Sequence, residues 1–334
     1  MRTKQPTHRP MNARNTWMTL LLALLVAGPH MAQAQFGPQQ VITTNAKLAF
    51  SVYATDLDGD GDADVLSASF NDDKIAWYEN KGGGSFGPQQ VITTNTDDAT
   101  SLYATDLDGD GDADVLSASL KDNKIAWYEN QDSGRFGSQQ VFTTNAKEAA
   151  SVYATDLDGD GDADVLSASD LDDKIAWYEN QGGSSFGSQQ VITTNAYGAN
   201  CVYAADLDGD GDADVLSASH NDDKIAWYEN QGGGSFGPQQ VITTNSKYAI
   251  DVYAADLDGD GDVDVLSASL EDDKIAWYEN QGGGSFGPQQ VISTNVDEAM
   301  GVYATDLDGD GDADVLSASD KDDKIAWYEN LQEP

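Results

Sequence analysis

Aspartates stand at alternate positions of a nine-residue segment, D-x-D-G-D-G-D-x-D, that recurs at a fixed period of 50 residues in six copies. The copies are Asp56, Asp58, Asp60, Asp62 and Asp64; Asp106, Asp108, Asp110, Asp112 and Asp114; Asp156, Asp158, Asp160, Asp162 and Asp164; Asp206, Asp208, Asp210, Asp212 and Asp214; Asp256, Asp258, Asp260, Asp262 and Asp264; Asp306, Asp308, Asp310, Asp312 and Asp314. Five carboxylates this close repel one another unless a cation sits among them. All-oxygen donors on a flexible loop suit calcium, which takes six to eight oxygens. As the chain wraps, side chains at positions one, three, five and nine turn inward and position seven offers its carbonyl, while the two glycines permit a tight turn with positive φ. The expected cofactor is about six Ca2+, one per repeat. An EF-hand shares the opening of this loop but needs a glutamate at position twelve between two helices. Here position twelve is Ser67. Magnesium, which holds its waters, fits such a cage less well.

The elements around the loop read as strands. In the first unit SVYATDL precedes it and DVLSAS follows; KIAWYEN comes next, then a Gly-rich turn and QQVITT. These are short β-forming runs bounded by Gly, Asn and Asp, with no helical periodicity. Ile75 and Trp77 load one face of KIAWYEN, and Ala76 and Tyr78 the other. A strand with two apolar faces is packed on both sides. A period of 50 residues marks a repeat architecture. The first repeat-like segment, Phe36–Thr44, has the sequence of a fourth strand, and the last, Lys324–Asn330, that of a third. The expected fold is all-β: a six-bladed β-propeller of four-stranded antiparallel blades, whose ring is closed by the N-terminal strand completing the last blade.

On these residues the chain resembles the FG-GAP/VCBS repeat family, the calcium-dependent β-propellers that include the head of integrin α subunits. The resemblance runs from Phe36 to Asn330 and rests on DLDGDGDADVL, with DLDGDGDVDVL in the fifth copy, and on Phe-Gly at Phe36, Phe86, Phe136, Phe186, Phe236 and Phe286. The Gly-Ala-Pro element of the family name is absent, and six units stand where integrin-like propellers have seven. The resemblance implies calcium in the hairpin between the first and second strands of a blade. The ligands it implies are the side chains of Asp56, Asp58, Asp60 and Asp64 and the carbonyl of Asp62, with their counterparts in the other copies.

The units differ from one another in two short windows. One enters the first strand, from Ala46, Thr96, Ala146, Ala196, Ser246 and Val296; the other leaves the second strand, at Phe70, Leu120, Asp170, His220, Leu270 and Asp320. In a four-stranded meander both windows lie at the end opposite the aspartate loop. Phe50, Phe70, Leu120, Tyr197, His220, Tyr248, Ile250 and Met300 are therefore expected on one ligand-binding face, with His220 as an exposed loop residue. The expected function is an adhesion or recognition module for an extracellular protein or glycan. The alternatives are a lectin with six pockets built from invariant residues such as Trp77, Tyr78, Glu79 and Asn80 or, less so, a polysaccharide-active enzyme. Past residue 34 the chain has one histidine, His220, and one cysteine, Cys201. With so few candidate bases and nucleophiles no enzyme activity is expected, and the lone cysteine is expected as a half-buried residue outside any disulfide.

Composition narrows the partners. With 58 Asp+Glu against 17 Lys+Arg and a formal charge of -41, the chain is unsuited to nucleic acid, whose backbone is gripped by basic patches. Hydrophobic residues at 39% exclude a disordered acidic tail. Residues 1–34 carry Arg2, Lys4, Arg9 and Arg14, an apolar run from Trp17 to Gly28 and small residues before Gln35. This is the pattern of a secretory signal peptide, too short in its apolar part to span a bilayer. The expected mature protein is a single propeller domain over residues 35–334, secreted to an extracellular or periplasmic space, with no membrane span.

Overall fold

The computed structural model describes residues 40–183 and 185–331. Residues 1–34, expected to form a signal peptide, lie outside them. The first unit places strands at Ala49–Thr55, Asp64–Ser69, Lys74–Tyr78 and Gln90–Thr93, paired in that order. The next four units repeat this meander, and every pair is antiparallel. Only a 3-10 turn at Phe70–Asp72 interrupts the all-β pattern among the described residues. The fold is a six-bladed β-propeller of antiparallel blades, as the repeat pattern predicts.

The core lies between blades. Leu57, Leu66, Ala68, Ile75 and Trp77 of the first unit pack against Ala99, Leu102, Ala104, Val115 and Tyr128 of the second, and each later seam repeats this set. Ile75 and Leu66 are fully buried. Burying a side chain of this size contributes about 1.5–3 kcal/mol, so a blade depends on its neighbours for stability. The Phe of a Phe-Gly dipeptide seals the seam from outside in three blades: Phe186, Phe236 and Phe286 meet Trp127, Trp177 and Trp227 edge-on at 6.0–6.4 Å.

Two bulges shape every complete blade. In the first strand the register skips Phe50, so that Ala49 faces Ser69 and Ser51 faces Ala68. In the fourth it skips Ile92, with Thr93 opposite Ile75 and Val91 opposite Ala76. A bulge re-aims the extra residue, and the first falls within a variable window.

The seam between the sixth and first units differs from the rest. Phe36–Thr44, expected to supply the sixth blade's outer strand, lies partly outside the described residues; its described part, Gln40–Thr44, carries no strand, and the sixth sheet has three. Ile325 is 75% exposed where Ile75 and its four other counterparts are at 0%, and Val52 is 69% exposed where Val152, Val202, Val252 and Val302 stand at 2–6%. The other fourth strands follow their third strands through a Gly-rich turn. A strand recruited from the far end of the chain carries a larger loop-closure entropy.

Candidate functional site

Three layers follow one another along the propeller axis. At one end the aspartate loops fold as tight hairpins. In the first, Asp56 accepts from the N–H groups of Gly59 (2.8 Å) and Gly61 (2.9 Å), Asp58 from Asp60, and Asp60 from Asp62. Gly59 and Gly61 hold φ of 77° and 91°, a region that L side chains avoid. Asp64 is fully buried beneath the hairpin, accepting from Leu57 N–H at 2.9 Å and Asn80 N–H at 2.7 Å. Carboxylate oxygens of Asp56, Asp58 and Asp64 converge within 4.8 Å of one another, and the same triad recurs in the second and third units. In the fourth unit Asp206, Asp208 and Asp210 converge. Burial raises the carboxyl of Asp64 and lifts Asp114 and Asp214 to about 7 and Asp164 and Asp264 to about 6; their backbone hydrogen bonds pull down and neighbouring aspartates push up. Buried carboxyls crowded in this way favour a positive charge among them.

The loops are also tied to each other. Asn130 donates to the carbonyl of Leu57 in the preceding loop (2.7 Å) and to Ala113 in its own (3.2 Å), and Asn180, Asn230 and Asn280 do the same one blade further on. The invariant Asn of KIAWYEN is therefore a strut between neighbouring loops. That role crosses repeats, so no motif within one repeat announces it.

The middle layer is a circle of phenols. Tyr53, Tyr103, Tyr153, Tyr203, Tyr253 and Tyr303 lie on the innermost strands, with successive ring centroids 4.6–4.9 Å apart. Burial pushes Tyr103 and Tyr253 up to about 12, and neighbouring tyrosines add to it. Tyr53 is raised too, first by burial and then by Tyr103 and Tyr303. Two residues earlier on these strands, Ser101 and Ser151 accept the N–H of Val152 and Val202 in the next blade, and Asp251 accepts that of Val302 at 3.0 Å. Cys201 is a free, partly buried thiol that donates to Asp251 at 3.0 Å. Burial raises both groups.

At the opposite end the two variable windows of each unit come together. Phe70 N–H meets the Leu48 carbonyl at 3.0 Å, and the equivalent bond joins Leu120 to Asp98, Asp170 to Glu148, His220 to Gly198, Leu270 to Tyr248 and Asp320 to Glu298. The accepting residue is left-handed in every copy, with φ of 52–69°. Asp73 of the preceding blade receives the N–H of Asp98 (3.0 Å), and Asn123, Asp173, Asp223 and Asp273 hold the next four copies. Asp or Asn anchors thus fix a backbone whose side chain varies from blade to blade.

Not every residue expected on this face is presented. Phe50 and Tyr197 are half exposed, and Phe50 stacks on the partly exposed Phe70 at 5.6 Å. Leu120, Tyr248 and Met300 are partly exposed. Ile250 is buried, whereas Phe50 at the same bulged position of the first blade is half exposed. His220, expected as an exposed loop residue, is buried as well: it lies on the Tyr248 ring at 4.4 Å, with Nε2 3.1 Å from Asp170. Gly198 makes room for it, since a Cβ there would come within 2.7 Å of the imidazole. Trp77 and Tyr78, suggested for repeated sugar pockets, are 3% and 1% exposed and belong to the core. Lys74, at the start of its strand, is bonded to Asp72 and to the Asn45 carbonyl, each at 2.8 Å.

The Gly-rich turn has a role that was not evident from one repeat alone. A Cβ on Gly134, Gly234 or Gly284 would lie 2.4 Å from the tryptophan ring of the preceding blade. Gly thus stands where the turn closes over that ring.

The FG-GAP-like repeat signature matches residues 56–117, 106–167, 156–217, 206–267 and 258–317. The chain belongs to the FG-GAP-like repeat family. Two solved structures share the fold of this FG-GAP repeat protein at low identity. A lectin from Agrocybe aegerita that recognises non-reducing terminal N-acetylglucosamine aligns with a TM-score of 0.61 at 19% identity, over 81% of this chain and 75% of that one. Virginiamycin B lyase from Staphylococcus aureus aligns with a TM-score of 0.56 at 12% identity, over 87% of each chain. Comparison with curated proteins finds no significant match. Among the described residues, no helix of the FG-GAP repeat protein is long and apolar enough to cross a membrane.

Proposed function

We propose that this FG-GAP repeat protein is an exported, calcium-loaded recognition module that binds an extracellular protein or glycan through the face carrying its variable windows. The observation that carries the reading is the pairing of two variable windows in every blade on a left-handed residue, which in the second to sixth blades is anchored by the preceding blade. A left-handed backbone favours glycine, yet five of the six positions hold Leu48, Asp98, Glu148, Tyr248 and Glu298. Non-glycine residues in that region are strained, and strain of this kind gathers at functional surfaces. Rigid strands presenting differing loops suit recognition better than catalysis.

Calcium suits the aspartate loops because every donor is oxygen, three carboxylates already converge, and the fourth-position glycine lets the loop close around an ion. Asp56, Asp58, Asp60 and Asp64 would hold it with the Asp62 carbonyl. The bound ion would offset the carboxylate repulsion and fix the hairpins that Asn130 and its counterparts tie together. Export fits this chemistry, since calcium is abundant outside the cell.

The test is binding to arrays of extracellular matrix proteins and glycans with calcium present, comparing the wild type with a variant in which Phe50, Phe70, Tyr197 and Tyr248 are all alanine. Binding that falls at least tenfold while the fold is kept supports the reading. Undiminished binding, or no binding by the wild type, overturns it.

A further inference from the structure

We propose that the six aspartate loops do not take up metal independently but are coupled in series by one hydrogen-bonded chain. Asn130, Asn180, Asn230, Asn280 and Asn330 are the positioning residues that pass the state of each loop to the next. The proposal rests on the calcium reading above and adds to it how the loops load.

The chain can be followed atom by atom. The buried carboxylate of Asp64 accepts the N–H of Leu57 at 2.9 Å, and the carbonyl of the same leucine accepts the side-chain amide of Asn130 at 2.7 Å. The backbone N–H of Asn130 then donates to the buried carboxylate of Asp114, in the next loop, at 2.7 Å. Asp114 accepts in turn from Leu107 at 3.0 Å, and the link repeats. Leu107 leads through Asn180 to Asp164, and Leu157 through Asn230 to Asp214. Leu207 leads through Asn280 to Asp264, and Leu257 through Asn330 to Asp314.

The links are short and have little slack. From Asp64 to Asp314 they measure 2.6–3.0 Å, and the first four asparagines are 0–1% exposed. The Asn130 amide is also fixed within its own blade, donating to Ala113 and accepting from the Gly134 N–H. Asn80, partly exposed, makes only the bonds within its blade among the described residues, to Ala63 at 3.0 Å and from Gly82 at 3.2 Å. The chain therefore begins at the first loop and ends at the sixth.

Asp64 and its counterparts are at once the innermost expected metal ligands and the ends of every link. A carboxylate held in place for a cation holds the Leu57 peptide, hence the Asn130 amide, hence Asp114 in the next loop. Buried hydrogen bonds in series strengthen one another, and a ligand that orders a shared element leaves less ordering for the next. Loading also removes negative charge, which weakens attraction for later cations. Salt screens that opposing contribution but scarcely touches buried hydrogen bonds. Cooperativity should therefore rise with salt even as affinity falls.

Equilibrium dialysis of the full chain against calcium chloride tests this. A coupling of about fivefold between adjoining loops should give about six bound ions with a Hill coefficient above roughly 1.5, and a higher one when sodium chloride is raised. Asn230→Ala removes the central link while its backbone N–H stays on Asp214, and should lower the coefficient with the stoichiometry kept. Asn80→Ala loses the same bonds within a blade but no link between loops, so it should keep the wild-type coefficient. Replacing Asn130, Asn180, Asn230 and Asn280 together should bring the coefficient near one, and if that variant does not fold, the comparison of the two single variants decides. Six ions bound without cooperativity, an Asn230→Ala variant as cooperative as the wild type, or equal losses in Asn80→Ala and Asn230→Ala would overturn the coupling and leave the calcium reading standing. No bound ion would overturn both.

Discussion

The two ends of this propeller were built under opposite rules. At one end six loops keep the same aspartates and glycines, and each is bound to its neighbour through an asparagine. At the other, six pairs of windows differ in size, charge and aromaticity on a backbone that barely changes. The first end ties side-chain identity to geometry, since a changed aspartate removes a hydrogen-bond acceptor and a potential metal ligand. The second separates them, because Asp73 and its counterparts hold the backbone whatever side chain is displayed. What the contrast teaches is that stability should depend on one end and binding on the other.

The largest effect is expected from chelation. If each loop holds calcium in the native state alone, one site at a hundred times its dissociation constant adds about 2.7 kcal/mol, and several sites add up. Excess chelator should therefore lower the melting temperature by ten degrees or more, read by circular dichroism with and without calcium. An unchanged melt would remove the distinction between the ends at its source.

Seam packing comes next. Gly234→Ala drives a Cβ into Trp177, and overpacking of this kind costs about 1–3 kcal/mol in addition to strain from φ of 66°. Gly84 has a similar φ of 74° but nothing within 4 Å of the added atom. Gly84→Ala should therefore show the strain alone. Equal losses in the two variants would mean that the tryptophan yields, and that the seams are looser than their burial implies.

A smaller effect concerns pH. Asp114, Asp164, Asp214 and Asp264 sit at about 6–7 in the folded protein against 3.8 ordinarily. Protons held more tightly by the folded than the unfolded state stabilise the fold, and that contribution is lost as pH rises through roughly 4 to 7. Without metal the protein should melt at a lower temperature at pH 8 than at pH 5. Calcium, competing with those protons, should flatten or reverse the trend. A chelated protein that is more stable at pH 8 would show that the buried aspartates are not the controlling groups.

How much could be read in advance follows from where each interaction closes. Strands, loops and blade count depend on residues within a single 50-residue unit, so alternation, glycine and aspartate spacing were enough to find them. Features that close across a seam were hidden. The Asn130 strut reaches Leu57 of the preceding unit, and Gly134 covers Trp77, so comparing units showed only that these residues seldom change. The same blindness applied to His220 and Ile250: being in a variable window suggests exposure, yet one fills the space over Gly198 and the other is buried at its bulge. Phe142 was legible as the one departure from isoleucine in its column, but its edge-to-face contact with Phe186 shows only in the fold.

The smallest effect is the most direct probe of the variable end. Glu148 holds φ of 52°, with its N–H fixed by Asn123 at 2.8 Å. An L residue in this region costs about 1–2 kcal/mol, and glycine removes that strain at the expense of a floppier unfolded chain. Glu148→Gly should therefore stabilise the protein slightly, by a few tenths to about 1 kcal/mol in denaturant melts, without altering the fold. If the variable windows serve recognition, the same change should weaken binding of whatever partner the arrays identify. Gain in stability together with loss of binding would be the signature of a surface that retains strain in order to display side chains. A stabilised variant that binds as well as the wild type would place the selected positions elsewhere among the windows, and a destabilised one would show that Glu148 supports the fold itself.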